Sequence, residues 1–181
     1  MGVKKAVVFG SSAPSEGDAE YEEAYEVGKL LGSMGFDVVN GGFVGTMEAS
    51  SKGAKEANAR VIGVTSKDLS YADPNKWLDE NIVEEDIIGR VSRMIELGDV
   101  FVVLKGSVGT MQELATAWNL MSIKIIDKKP IICLGEHWKN AVATIAETER
   151  AKKADLIRND IVRFAEDMDE LKEILKSIQQ P

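Results

Sequence analysis

Short runs that are apolar throughout recur along the chain at residues 5–10, 36–40, 60–65, 99–104, 130–135 and 161–166. Between them, apolar positions return at every third or fourth residue. In the first such stretch, Asp18 to Met34, the series is Ala24, Val27, Leu31 and Met34, and Gly35 follows as a stop. The same periodicity predicts helices at about 46–58, 84–97, 110–123, 138–153 and 168–178. Strands without polar alternation are buried on both faces, and strands alternating with helices belong to parallel sheets. The pattern therefore predicts an α/β chain with a Rossmann-like, doubly wound parallel sheet covered by helices on both faces. Residues 66–81 fit neither period. This segment is polar, contains Pro74 and an isolated Trp77, and reads as an irregular loop, either a substrate-facing lid or a surface excursion.

Two of the strand-to-helix junctions carry the same residues. Gly-x-Val-Gly-Thr-Met occurs at Gly42–Met47 and again at Gly106–Met111, an interval of 64 residues. Each copy follows an apolar run and precedes a helix, so both should lie at the carboxyl edge of the sheet, where this architecture binds ligands. Glycine permits positive φ and close approach of a ligand to the backbone, and the first amides of the next helix point outward without partners. Such turns suit an oxyanion. The expected anion pocket comprises Gly10 and Ser11 after the first strand, Gly41, Gly42, Gly45 and Thr46 in the first copy, and Gly106, Ser107, Val108, Gly109 and Thr110 in the second. The chain contains neither G-x-x-x-x-G-K-[ST] nor G-x-G-x-x-G, which argues against ATP hydrolysis and dinucleotide binding.

Composition narrows the ligand. The 181 residues, 44% hydrophobic and 29% charged, suit a single globular domain spanning 1–181. With 30 acidic against 22 basic side chains, the net charge of −8 repels polyanions, so no nucleic-acid partner is expected, whereas backbone amides can still hold a small anion. No apolar stretch approaches membrane-spanning length, and the single Cys133 gives no internal disulfide, so a cytoplasmic protein without a membrane partner is expected. His137 is the only histidine, which leaves a Ser-His-Asp triad or a histidine metal cluster without parts. No metal site is expected.

Asn40-Gly41-Gly42-Phe43-Val44-Gly45-Thr46-Met47-Glu48 and Lys105-Gly106-Ser107-Val108-Gly109-Thr110-Met111-Gln112-Glu113 resemble the two signature turns of the LONELY GUY (LOG) family, long labelled "possible lysine decarboxylase". Its relatives include molybdenum-cofactor carrier proteins. The resemblance runs over most of the chain and departs from the pattern where Asn40 and Ser107 replace glycines and Lys105 replaces proline; Lys105 would add charge, and Ser107 can still donate to a phosphate. Members of the LOG type hydrolyse the N-glycosidic bond of a nucleoside 5′-monophosphate without a cofactor. The resemblance thus implies a phosphoribohydrolase acting on a small phosphorylated ligand, or a non-catalytic nucleotide or molybdenum-cofactor carrier, in either case commonly a homodimer. It also implies catalytic roles for Arg90 and Glu113. At about 100° per residue, Arg90 borders the buried face of Ile87, Val91, Met94 and Ile95, whereas Arg93 lies nearly opposite. Glu113 has a second reading, because Thr110-Met111-Gln112-Glu113 is also a capping box in which the carboxylate would close the helix end.

Overall fold

The computed structural model describes residues 3–150 and 161–179. Among them, seven parallel strands form one sheet: β1 (Lys5–Phe9), β2 (Asp37–Asn40), β3 (Val61–Ser66), β4 (Glu80–Glu84), β5 (Val100–Val103), β6 (Ile131–Leu134) and β7 (Val162–Ala165), in the order β4-β3-β2-β1-β5-β6-β7. The helices are α1 (Ala19–Ser33), α2 (Thr46–Glu56), α3 (Ile87–Leu97), α4 (Val108–Ser122), α5 (Lys139–Arg150) and α6 (Met168–Gln179). The predicted fold class is therefore the observed one. The last residues of the predicted helix over 138–153 lie outside the described residues.

Period-two geometry turns each apolar strand into two core faces. Ala6 and Val8 of β1 join Leu31, Phe36, Leu171 and Leu175 on one side of the sheet. Val7 and Phe9 join Val91, Met94, Leu114 and Trp118 on the other, and the rings of Phe9 and Phe101 stack at 5.7 Å. Burial on both faces removes the polar alternation that a half-exposed strand would show. Two glycines bring α1 against α2 at backbone contact. A Cβ on Gly28 would lie 2.0 Å from Ser50 O, and one on Gly53 would lie 2.0 Å from Tyr25 O.

The sequence pattern misses β4. Glu80–Glu84 alternates between half-buried and exposed positions, and Val83 is 54% exposed. An edge strand has one neighbour and can keep charged and polar residues, so Glu-Asn-Ile-Val-Glu reads as loop although it pairs with Ile62–Ser66. The next helix accordingly begins at Ile87 and not at 84. Its start is set by Asp86, whose Oδ1 accepts from the Gly89 amide at 2.7 Å.

From β1 the chain proceeds outward through β2, β3 and β4, then returns to place β5 on the other side of β1. The loops after β1 and β5 therefore diverge from a topological switch point, with the loops after β2 and β3 beside them on the same edge.

Candidate active site

The two copies of the repeated turn fold differently. In the second copy α4 already begins at Val108, with Ser107 at the N-cap and no side chain capping it. The first helical amides then have no intrahelical acceptor, and the positive end of the helix dipole lies with them. A Cβ on Gly106 would fall 2.1 Å from Thr110 Oγ1, so the glycine lets this threonine fold back beneath the turn. A Cβ on Gly109 would meet nothing within 4 Å. His137 Nε2 sits 2.9 Å from Gly106 O, and Trp138 Nε1 donates to Leu104 O at 2.9 Å. The loop before α5 thus supports this turn from behind, a role not apparent in the sequence.

The first copy is sealed by protein contacts. Gly42 and Gly45 adopt φ of 79° and 73°, and α2 starts only at Thr46. The Thr46 amide and hydroxyl both donate to Ser11 O, at 2.9 and 3.0 Å. Asn40, fully buried, accepts from the Gly42 amide at 2.9 Å and donates to Met47 O at 3.0 Å and Ser51 Oγ at 2.9 Å. Asn75 donates its amide to Gly42 O at 2.8 Å and its side chain to Phe43 O at 3.0 Å. Gly41, Gly42, Gly45 and Thr46, expected among the anion contacts, do not line the cleft described next, and the amide and hydroxyl of Thr46 already donate to Ser11 O. Gly41 instead makes room, since its Cβ would stand 1.6 Å from Arg90 Nη2.

The loops converge on a cleft of about 300 Å³ lined by Gly10, Ser11, Ser107, Gly109 and Thr110, together with Arg90 and Glu113. Val108 and Gly106 are not among its lining residues; Val108 is 83% exposed, and Gly106 lines an adjoining hollow with Lys105. Lys105 does not supply positive charge to the cleft. Its Nζ pairs with Glu20 at 2.7 Å, on an exposed surface.

Arg90 and Glu113 are both buried, at 6% and 8% exposure, with Arg90 Nη1 3.6 Å from Glu113 Oε1. That separation gives Coulomb attraction without a hydrogen bond. Arg90 is oriented by Val64 O, to which its Nε donates at 2.8 Å, and its guanidinium carbon lies 5.7 Å from the centre of the Phe43 ring. Burial raises the Glu113 carboxyl to about 7, with the nearby Arg90 charge opposing. Burial likewise pulls the Arg90 guanidinium down, and Glu113 opposes that shift. Arg93 is directed elsewhere, to Glu84 at 2.7 Å and Glu96 at 2.6 Å. The capping box does not form, because the N-cap is Ser107 and Glu113 lies in the second turn facing Arg90. Ser12, Phe43, Val44, Met47, Leu69, Tyr71 and Ala72 complete the lining. The repeat contained Phe43 and the irregular segment contained Tyr71, but nothing in their spacing marked either as part of a site.

Residues 4–164 carry the pattern of the SLOG cluster4 family. The chain belongs to that family. Similar proteins include a cytokinin riboside 5′-monophosphate phosphoribohydrolase of Mycobacterium tuberculosis, 34% identical over 114 residues, or 62% of this chain and 60% of that protein. The cytokinin riboside 5′-monophosphate phosphoribohydrolase LOG of Oryza sativa is 30% identical over 135 residues, covering 71% of this chain and 53% of that one. The matched part is thus less than two thirds of either named enzyme. A molybdenum cofactor binding protein of Rippkaea orientalis shares the fold, with a TM-score of 0.78 and 24% identity over 99% of both chains. The SLOG cluster4 match spans both glycine turns, the helix of Arg90 and the strand that precedes Glu113. Among the described residues, no helix is long and apolar enough to cross a membrane.

Proposed function

We propose that this protein hydrolyses the N-glycosidic bond of a nucleoside 5′-monophosphate, converting nucleotide and water into free base and ribose 5-phosphate. The observation that carries this reading is a buried carboxylate raised to about 7 in the same cleft as an uncapped helix N-terminus. The amides at the start of α4, with Ser107 and the Thr110 hydroxyl, hold the 5′-phosphate. Gly10 and Ser11 form the adjoining wall. Cleavage of the C1′–N bond leaves positive charge on the ribose, and Glu113 in its ionised form stabilises that charge and takes a proton from the attacking water. The departing base nitrogen gains a proton from solvent. Arg90 keeps Glu113 ionisable in a buried setting, since without this cation desolvation would act on the carboxyl unopposed. The names of the M. tuberculosis and O. sativa relatives support this reaction class.

A homodimer in the cytoplasm accords with this reading, and Ile123 and Ile125, 57% and 68% exposed just past the C-terminal end of α4 and so at the opposite end of that helix from the cleft, offer an apolar surface for such a contact. The deciding experiment incubates the purified protein with AMP, CMP, GMP and UMP and measures free base and ribose 5-phosphate, with Glu113→Ala as control. Turnover lost in the control supports the hydrolase. Nucleotide binding without turnover in either protein replaces this reading with a carrier function.

A further inference from the structure

The cleft is chemically divided. Ser107, Gly109 and Thr110 form a polar end on the β5–α4 junction, whereas Leu69, Tyr71 and Ala72 form the opposite end on the loop between β3 and β4. β3 and β5 are separated by β2 and β1, three strand spacings, or roughly 14 Å at about 4.8 Å each. Arg90 and Glu113 lie in the same cleft on the intervening α3 and α4. A ligand whose phosphate is held at α4 therefore extends its far end toward residues 69–72.

That far end is built and held. Ser70 N donates to Lys67 O at 3.1 Å and Ala72 N donates to Leu69 O at 3.0 Å, which closes two consecutive turns and leaves Tyr71 at the tip. Asp68 Oδ2 accepts from the Ile87 amide at 3.0 Å and fastens the loop to the start of α3. On the other side, Asn75 fastens it to Gly42 and Phe43. Tyr71 itself is 84% exposed and has no hydrogen bond or ring contact within the described residues, although it lines the cleft. Trp77, the aromatic more conspicuous in the sequence, is already covered: Lys76 Nζ lies 5.1 Å from its ring.

We infer that Tyr71 is the stacking platform for the planar heteroaromatic base of the ligand, so that base selection is made on the β3–β4 loop and not at the glycine turns. The inference rests on the nucleotide reading of the cleft. A phenol ring offers a flat apolar face to any base, and stacking tolerates different bases while rejecting a ligand that has none. Leu69 and Ala72 supply apolar flanks without adding charge, which suits a neutral ring and not a second phosphate.

The test titrates AMP and ribose 5-phosphate separately into protein carrying Glu113→Gln, which prevents turnover during the measurement, and into the same protein with Tyr71→Ala or Tyr71→Phe added. Because Tyr71 is exposed, neither change should disturb folding, and circular dichroism checks that. Tyr71→Ala should weaken AMP roughly ten- to hundredfold, Tyr71→Phe should retain most of the affinity, and ribose 5-phosphate should bind all three proteins equally. In steady-state assays of the otherwise natural protein, Tyr71→Ala should raise KM for AMP far more than it lowers kcat. Equal AMP affinity in all three proteins overturns the stacking role while leaving the phosphate cleft intact. An equal loss for ribose 5-phosphate assigns Tyr71 to loop structure and overturns the inference. Failure of both ligands to bind the parent protein overturns the nucleotide reading itself.

Discussion

Gly42–Met47 and Gly106–Met111 share two glycines and the side chains of valine, threonine and methionine, yet one is a closed buttress and the other an open end. In the first, Gly45 is left-handed at φ 73° and ends the turn; in the second, Gly109 is already inside a helix that starts at Val108. Thr46 spends both donors on Ser11 O, whereas Thr110 lies in the cleft wall. The position 64 residues after the buried Ala49 is Glu113. The difference arises outside the repeat. Asn40 and Asn75 fasten the first turn from within the protein, and the second has Ser107 at its N-cap with no capping bond. Identical local sequence sets which backbone shapes are allowed, and its neighbours choose among them.

The contrast can be tested residue by residue. The largest effect should come from Glu113→Gln, which keeps the shape and removes the base: kcat should fall about 10²- to 10⁴-fold in an assay of base release, while AMP affinity is largely kept. Next, the same change in each copy should have opposite results. Gly45→Ala places a Cβ 2.4 Å from Ser11 O at a left-handed residue, and should cost at least about 2 kcal/mol in urea unfolding. Gly109→Ala meets no neighbour and should leave stability level or raise it by up to about 1 kcal/mol, while phosphate affinity falls.

Glu113 also makes stability depend on pH. Its folded value of about 7 exceeds the ordinary 4.5, so between those limits the folded state holds the extra proton and stability declines as pH rises. Glu113→Gln should therefore match the natural protein near pH 4.5 and be more stable at pH 8, by about 3 kcal/mol at roughly 1.4 kcal/mol per pKa unit, the Arg90 attraction being already contained in the value of about 7. The smallest effects should come from the threonines. Thr46→Val should lose about 1 kcal/mol of stability with its bond to Ser11 O. Thr110→Val should stay within about 0.5 kcal/mol but weaken AMP several-fold.

Much of this arrangement can be read in the chain, because apolar runs buried on both faces and helical periodicity both arise from local rules. Arg90 could be preferred over Arg93 for the same reason: a 100° step per residue puts one beside the core and the other with Glu84 and Glu96. β4 could not be read, since an edge position relaxes the demand for apolar residues. The closure of the first turn was hidden in a different way. Asn40 precedes the motif and Asn75 lies far beyond it, well after Met47, and their joint action exists only once the chain has folded. Phe43 and Tyr71 carry no periodic or spacing signal at all; only the cleft identifies them. The capping box was a sound local reading that failed because α4 starts upstream, at Val108.

The near-neutral Glu113 has a consequence for the thermodynamics of ligand capture. A phosphate dianion arriving in the cleft adds negative charge beside a group that already ionises reluctantly, and so draws a proton from the medium. Association is then also an acid–base event. Its heat should depend on the ionisation enthalpy of the buffer, so that titrations in phosphate-free Tris and in Pipes at one pH yield different enthalpies for the same affinity.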